Sequence, residues 1–188
     1  MKTNIKHLIL SCSLIGLIAS CNSSKEQNPF QITKHNIGTL TDSTKLSDLE
    51  LAFPNDSLVK VESNDGFTGT NPDFEVYDKS GAKLLVLTPE NTSDSTSTIK
   101  SVMVMDKRFK TDKNISKIST FKDIQSNYKI SKISNLIRTV VISVDDINAS
   151  FTIDKKELPA NLRFDMDTKI EAVQIPDQAK IKYFILHW

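Results

Sequence analysis

The best-defined chemistry in this sequence is lipid attachment at Cys21. A positively charged start and a short apolar run, Leu8–Leu17, lead into the segment Ile18–Cys21. This segment has the form of a lipobox, in which a small residue precedes the cysteine because the signal peptidase cleaves there after the thiol has received a diacylglyceryl group. We therefore predict that residues 1–20 form a signal peptide, that cleavage falls between Ser20 and Cys21, and that Cys21 carries the lipid.

Lipid chains on Cys21 would hold the protein on a membrane that its sequence does not cross. The apolar run up to Ala19 is too short for a bilayer, which takes about 20 residues. The sequence resembles Gram-negative lipoproteins that have Asn22 rather than aspartate after the lipidated cysteine, and this resemblance implies transport to the outer membrane. Residues 21–29 are polar and are expected to form a lipid-anchored tether. The leaflet is left open.

The other cysteine and the charge balance limit the remaining functions. Cys12 leaves with the signal peptide, so the mature domain is expected to contain neither a free thiol nor a disulfide. Loss of residues 1–20 removes two of the 24 basic residues and leaves 22 against 23 acidic ones, a formal charge of −1. A dedicated nucleic-acid-binding protein would be strongly basic. We expect no nucleic-acid partner.

Four aspartates are the candidates for acid/base chemistry. Asp145 with Asp146, and Asp165 with Asp167, could supply paired carboxylates for hydrolysis of a glycan or lipid. The competing interpretation is that these aspartates build turns, because their side chains bond readily to turn backbone. A hydrolase remains an alternative that requires these carboxylates to converge in a cleft.

Other catalytic and metal-binding signatures are missing from the sequence. His35 and His187 have no partner at metal-ligand spacing, and a hydrogen-bonded structural imidazole is the favoured role for His187. The oxygen-rich segment Asn64–Gly66, with Asn71 and Asp73, lacks the ligand spacing of an EF-hand. There is no nucleophile elbow and no phosphate-binding glycine loop. We expect no metal, no cofactor and no enzymatic activity.

Short runs with strand patterning, separated by turn residues, predict a β-rich fold. Two of the runs, Val102–Met105 and Tyr183–Leu186, are apolar on both faces, which is typical of strands at the centre of a sheet or between layers. The predicted strands lie near Leu58–Val61, Phe74–Tyr77, Lys83–Leu87, Ile99–Met105, Arg138–Val144, Ser150–Ile153, Lys169–Val173 and Lys180–Trp188.

Two amphipathic helices are predicted, at 43–53 and 119–128. Each has Ser or Thr before its apolar stripe, as an N-cap, and the central residues Leu49 and Ile124 are 75 positions apart. The pattern indicates either an internal duplication of a helix plus strands or chance similarity. We predict one mainly β, α+β domain over residues 30–188, with antiparallel sheets packed as a two-layer or sandwich-like structure.

Several segments, in order along the chain, resemble the sigma-E-regulated bacterial lipoprotein family, a domain of unknown function. They are Asn36–Thr41 with Ser43 and Thr44, Phe74–Val76, Thr98–Val102, Lys113–Ile115, Ser119–Asp123 and Lys180–Ile185. The resemblance implies a compact β-rich outer-membrane lipoprotein linked to envelope stress, and it assigns no catalytic residue. The chain departs from the family at Ile118 and Ser119, where a glycine is usual, and it lacks the cysteine pair of the enterobacterial members.

The sequence therefore predicts a non-enzymatic envelope protein of unknown molecular activity, which binds a protein or supports envelope integrity. The alternatives are the hydrolase that uses acidic residues and a small-ligand carrier, which needs a lined apolar cavity.

We expect Cys21→Ala to release a folded domain from the membrane, because the lipid is the only predicted anchor. Fractionation of cells that express the two forms measures this. The matched control is Cys12→Ala, which changes only the signal peptide. Persistent membrane attachment of the Cys21→Ala form would contradict the prediction.

Overall fold

The strands form two sheets around a shared hydrophobic core. The computed structural model describes residues 28–61, 73–164 and 168–188. Within them, the smaller sheet contains β1 Gln31–Ile32, β2 Asn36–Ile37, β3 Leu40–Thr41 and β8 Lys110–Thr111. The larger sheet contains β4 Ser57–Val61, β5 Asp73–Tyr77, β6 Lys83–Pro89, β7 Ile99–Val104, β9 Lys132–Asn135, β10 Thr139–Val144, β11 Ala149–Asp154 and β12 Ile181–His187.

Neighbouring strands of the larger sheet are all antiparallel, in the order β4-β5-β6-β7-β12-β11-β10-β9. The strands predicted to be central, because both of their faces are apolar, are the central pair β7 and β12. The smaller sheet has the order β3-β2-β1-β8, and its β1–β8 pair is parallel. The prediction of a β-rich α+β domain with packed, mainly antiparallel sheets and two short helices is confirmed.

One predicted strand is wrong. The segment Lys169–Val173 leads into the 3-10 helix Ala172–Gln174, at whose start the Glu171 N–H donates to Gln174 Oε1 (2.9 Å). Polar side chains that bond to nearby backbone compete with a strand ladder in this way. Five of the described strands are not predicted: β1, β2, β3, β8 and β9. The first four have two residues each, too few to show a period of two, and β9 carries a single apolar residue.

Both predicted helices form, and both are shorter than predicted. The first consists of the 3-10 helix Leu46–Asp48 followed by α1, Leu49–Ala52, and the second is α2, Phe121–Asn127. The predicted cap of α2 is present as a capping box. Thr120 Oγ1 accepts from the Asp123 N–H (3.4 Å), and the Thr120 N–H donates to Asp123 Oδ2 (2.8 Å).

The predicted N-cap of the first helix is wrong, and the difference is informative. Lys45 occupies the cap position and its side chain makes no capping bond. Thr44 Oγ1 instead accepts from the Thr41 N–H (3.0 Å), which closes the turn before the helix. The same turn recurs 75 residues later, where Ser119 Oγ accepts from the Ser116 N–H (3.1 Å).

The two halves of the chain also repeat the contact between helix and sheet. The Leu46 N–H donates to the Ser97 carbonyl (2.9 Å), and the Phe121 N–H donates to the Ala179 carbonyl (2.9 Å). Each helix precedes a four-stranded meander, β4 to β7 or β9 to β12, and each contact reaches the residues just before the last strand of that meander. These matching bonds favour internal duplication over chance similarity.

The buried apolar residues form one cluster that draws on both sheets and both helices. Near its centre, Phe151 of β11 and Phe184 of β12 lie opposite each other, with ring centroids 4.5 Å apart. Neither ring is accessible to solvent. Because β12 is a central strand, its inward side chains join the two meanders.

We expect Phe184→Ala to destabilise the domain by about 3–5 kcal/mol, because it leaves a cavity in the core. The matched control is Tyr183→Ala, one residue away on the other face, where the side chain is 41% exposed. Its cost is expected to be about 1 kcal/mol or less. Urea unfolding of both variants measures the difference in the free energy of unfolding. Equal losses of stability would contradict the placement of Phe184 on the buried face of β12 and Tyr183 on its exposed face.

Candidate functional site

The outward face of the larger sheet carries a band of apolar side chains. The pairing of five neighbouring strands, β4, β5, β6, β7 and β12, places one residue of each strand in a single row. These residues are Val59, Glu75, Val86, Met103 and Ile185. Within the described residues, the apolar members belong neither to the buried core nor to the partly buried side chains packed against it. We call this surface the open face and define it by Val59, Val86, Met103, Met105, Val141, Tyr183 and Ile185.

An ion pair on β5 and β6 lies within the open face, since Glu75 stands in the row between Val59 and Val86. Lys83 Nζ lies 2.5 Å from Glu75 Oε1, and the Tyr77 hydroxyl donates to the same carboxylate. The hydrogen bond from Lys83 is the main reason that the pKa of Glu75 is lowered, and the same bond raises the pKa of Lys83. Both groups therefore stay charged at neutral pH and give the open face a fixed polar group among its apolar side chains.

Ser150 and His187 form a hydrogen-bonded pair on the same side of the sheet. Ser150 Oγ lies 2.8 Å from His187 Nε2, which is also the spacing of a serine nucleophile and its base. Ser150 is only 8% exposed, and no carboxylate of the described residues hydrogen-bonds to the imidazole. Burial lowers the pKa of His187. The pair therefore fits the structural imidazole predicted for His187, rather than an activated nucleophile.

In the part of the chain that the structure describes, Asp145 and Asp146 do not converge in a cleft with the other predicted carboxylates. Asp145 and Asp146 are exposed on the short 3-10 helix Asp145–Ile147. This placement agrees with the competing interpretation, in which these aspartates build a turn. Asp165 and Asp167 lie outside the described residues. The hydrolase alternative therefore gains no support from Asp145 and Asp146.

Several other predicted features also lie outside the described residues. They are the cleavage and lipidation positions Ser20 and Cys21, and the oxygen-rich positions Asn64–Gly66 and Asn71. In the part that is described, no three His, Cys, Asp or Glu side chains are grouped to hold a metal ion. None of the helices described there has the length and apolar character needed to cross a membrane.

A cavity of about 300 Å³ opens near Pro29, where the described chain begins. Three phenylalanines line it, Phe30, Phe53 and Phe109, and the rings of Phe30 and Phe109 meet edge to face with centroids 5.1 Å apart. Its volume is at the lower end of the range for small-molecule sites, roughly 300–1,000 Å³. The sequence carries no signal for it, because its lining comes from distant segments.

Arg108 lies beside this cavity and is held by two carboxylates. Its Nη2 atom lies 2.7 Å from Asp78 Oδ2 and 2.9 Å from Asp106 Oδ2, and its guanidinium lies 4.8 Å from the ring centroid of Phe30. The hydrogen bond from Arg108 is the main reason that the pKa of Asp106 is lowered. The guanidinium is thereby balanced within the protein and is not a free anion-binding group.

Asp56 also lines the cavity. Unlike those of Asp78 and Asp106, its carboxylate accepts no hydrogen bond from Arg108. Among the described residues, no side chain hydrogen-bonds to its carboxylate. Burial is the main cause that raises its pKa, and the nearby charge of Asp78 raises it further. An apolar cavity that contains this carboxylate is suited to a cation more than to an anion.

The fold and this site define a β-rich domain of two packed sheets with one open sheet face and a small aromatic cavity. A similar structure is the crystal structure of the uncharacterized protein YfeY from Escherichia coli, with a TM-score of 0.54 and 16% sequence identity. The alignment covers 84% of this chain and 99% of YfeY. Neither a protein-family model nor a curated protein sequence matches the chain. At this identity the likeness concerns the fold alone.

We expect opposite effects on stability from Asp56→Asn and Asp106→Asn. The raised pKa of Asp56 means that its ionisation opposes folding, so Asp56→Asn stabilises the domain at neutral pH. This gain fades as the pH falls through the raised pKa of Asp56, and it is gone below the ordinary value of 3.8. The lowered pKa of Asp106 means that its ionisation favours folding, so Asp106→Asn destabilises at neutral pH. That loss fades as the pH falls through the lowered pKa.

Unfolding midpoints of both variants at neutral and acidic pH measure these effects, and NMR titration of the two carboxyl groups measures the pKa values directly. Equal pKa values for Asp56 and Asp106 would contradict the different environments described for them.

Proposed function

We propose that this chain is a non-enzymatic lipoprotein, anchored to the outer membrane by Cys21, that binds another envelope protein through the open face. The observation that carries the proposal is the row of apolar side chains on the uncovered side of the two central strands. Large exposed apolar patches bordered by polar residues are typical of protein-binding surfaces. Val59 and Tyr183 are exposed on this face, and the Lys83–Glu75 ion pair lies among its apolar side chains.

The composition of the open face suits a protein partner. Met103 and Met105 are flexible and polarisable, so they adapt to the shape of a partner surface. Tyr183 is 41% exposed and offers an aromatic group of the kind that dominates binding energy in interfaces. The Lys83–Glu75 pair offers such a partner a charged group within the face, which favours one orientation of the partner.

Membership of the sigma-E-regulated lipoprotein family is part of the proposal. Its support is the set of six resembling segments, five of which coincide with elements of the fold. Asn36–Thr41 contains β2 and β3, Phe74–Val76 lies in β5, Thr98–Val102 lies mostly in β7, Ser119–Asp123 contains the start of α2, and Lys180–Ile185 covers most of β12. The fold likeness to YfeY adds that such a domain occurs in another bacterial protein.

A second candidate function is favoured by the cavity beside Phe30. Its three phenylalanines and the carboxylate of Asp56 suit a small organic cation, with an apolar body between the rings and an ammonium group at the acid. Such a ligand would stabilise the ionised carboxylate and lower the pKa of Asp56. The titration of Asp56, repeated with phenethylammonium, distinguishes this carrier function from a cavity that stays empty.

For the main proposal, we expect a photo-crosslinking amino acid at Met103 to capture an envelope protein in living cells. The matched control places the same amino acid at Ile118, which is apolar and 66% exposed but lies outside the open face, just before α2. Adducts are detected by mass spectrometry. The Met103 adduct is expected to disappear when Ile185, its neighbour across the ladder, is replaced by lysine.

The Cys21→Ala form separates the anchor from the surface. Loss of the adduct in this form alone shows that the partner is met at the membrane, whereas retention shows that the open face binds without the anchor. Capture at Ile118 and not at Met103, or an adduct that persists with Ile185→Lys, would contradict the open face as the binding surface.

A further inference from the structure

The chain enters the domain at one particular end of the larger sheet. The ring of Phe30 packs against the guanidinium of Arg108, and this guanidinium forms salt bridges with Asp78 and Asp106. Asp78 directly follows β5 and Asp106 lies just after β7. Phe30 is therefore beside the edge of the sheet at which β5 and β7 end. We call this edge the entry end.

The hairpin between β9 and β10 lies at the same edge. Asn135 pairs with Val140, and Thr139 pairs with Asp154 at the end of β11. Since the sheet is antiparallel throughout, the ends of β5, β7, β9 and β11 fall on one edge. The tip of this hairpin is apolar and exposed, with Leu136 at 47% and Ile137 at 68% exposure.

A third exposed apolar residue belongs to a loop that is fixed to this hairpin at two points. The loop starts where the Lys155 N–H donates to the Arg138 carbonyl (3.0 Å), and it returns where Asn135 Nδ2 donates to the Thr168 carbonyl (2.8 Å). Phe164, in this loop, is 90% exposed. Leu136, Ile137 and Phe164 thus belong to one hairpin and one attached loop at the entry end.

The tether is long enough to bring this end to the membrane. Residues 21–28 span at most about 25 Å when extended. The chain enters beside β7, and β10 lies three strands further along the sheet. The distance from β7 to β10 is therefore about 15 Å. A bilayer that holds the lipid of Cys21 therefore lies within reach of the Leu136–Ile137 tip.

We propose that the entry end docks on the membrane that carries the lipid anchor, and that Leu136, Ile137 and Phe164 insert at the bilayer interface. This rests on the lipid anchor of the proposed function. Arg138 and Arg163, next to the inserted residues, keep their charged groups at the headgroups while their stems follow the apolar surface. Because the inserted side chains are apolar, the contact withstands added salt.

The test uses the lipidated protein in vesicles of phosphatidylethanolamine and phosphatidylglycerol. Ile137→Cys is labelled with an environment-sensitive fluorophore, since acylation leaves Cys21 without a reactive thiol. The matched control is Ser93→Cys, exposed in the loop between β6 and β7 at the opposite edge of the sheet. We expect a blue shift and quenching by brominated lipid for the label at Ile137, at low and high salt, and neither change for the label at Ser93.

Flotation of the vesicles separates the two ways of failing. Protein that does not float with the vesicles contradicts the lipid anchor itself. Protein that floats while the label at Ile137 stays in water contradicts the docked entry end and leaves the anchor standing. A signal that Phe164→Ser does not weaken, or that salt abolishes, would also overturn the proposal of an apolar contact.

Discussion

The pairing of β7 with β12 is the constraint on which the rest of the structure depends. It places Met103 opposite Ile185 and Val102 opposite Leu186, and it is the only strand pairing between the two meanders in the described larger sheet. Because side chains alternate along a strand, this register directs Val102 and Leu186 into the core and Met103 and Ile185 to the open face. A slip of one residue would exchange these two sets and bury the wrong one.

This pairing also explains why two similar halves make one domain. Each half contributes a helix and a four-stranded meander, and the last strand of each meander would be an exposed edge if the half stood alone. Joining β7 to β12 removes both of those edges at once. The remaining edges are β4 and β9, at the two sides of the larger sheet. The shared core accounts for the apolar character of the inner faces of the two central strands, where Val102 and Leu186 are buried.

The elements that could be predicted are those whose signal is local. Two-sided apolar character indicated that β7 and β12 are central strands. The 75-residue spacing of Leu49 and Ile124 suggested a repeat but left chance similarity open. The contacts that need long-range geometry could not be predicted. Ser150 meets His187 through the β11–β12 register, and Arg108 meets Asp78 across a separation of 30 residues. The cavity escapes prediction for the same reason, because Phe30, Phe53 and Phe109 come from separate segments. Sequence patterns also failed where polar side chains form local turns, as at Thr44 and Gln174.

The two proposed surfaces fix the orientation of the domain on the membrane. If the entry end rests on the bilayer, the strands of the larger sheet run away from it, and the open face looks sideways along the membrane. Met103 lies near the end of β7, so it stands only a few residues, on the order of 10 Å, above the entry end. A partner that reaches Met103 must therefore approach close to the bilayer, where proteins held in the same membrane are concentrated. Docking through Leu136 and Ile137 would then influence binding at the open face without contacting that face. Docking limits rotation of the domain about the tether and keeps Met103 at a constant height above the bilayer. This link depends on the rigidity of the sheet between β7 and β10, which the shared core provides.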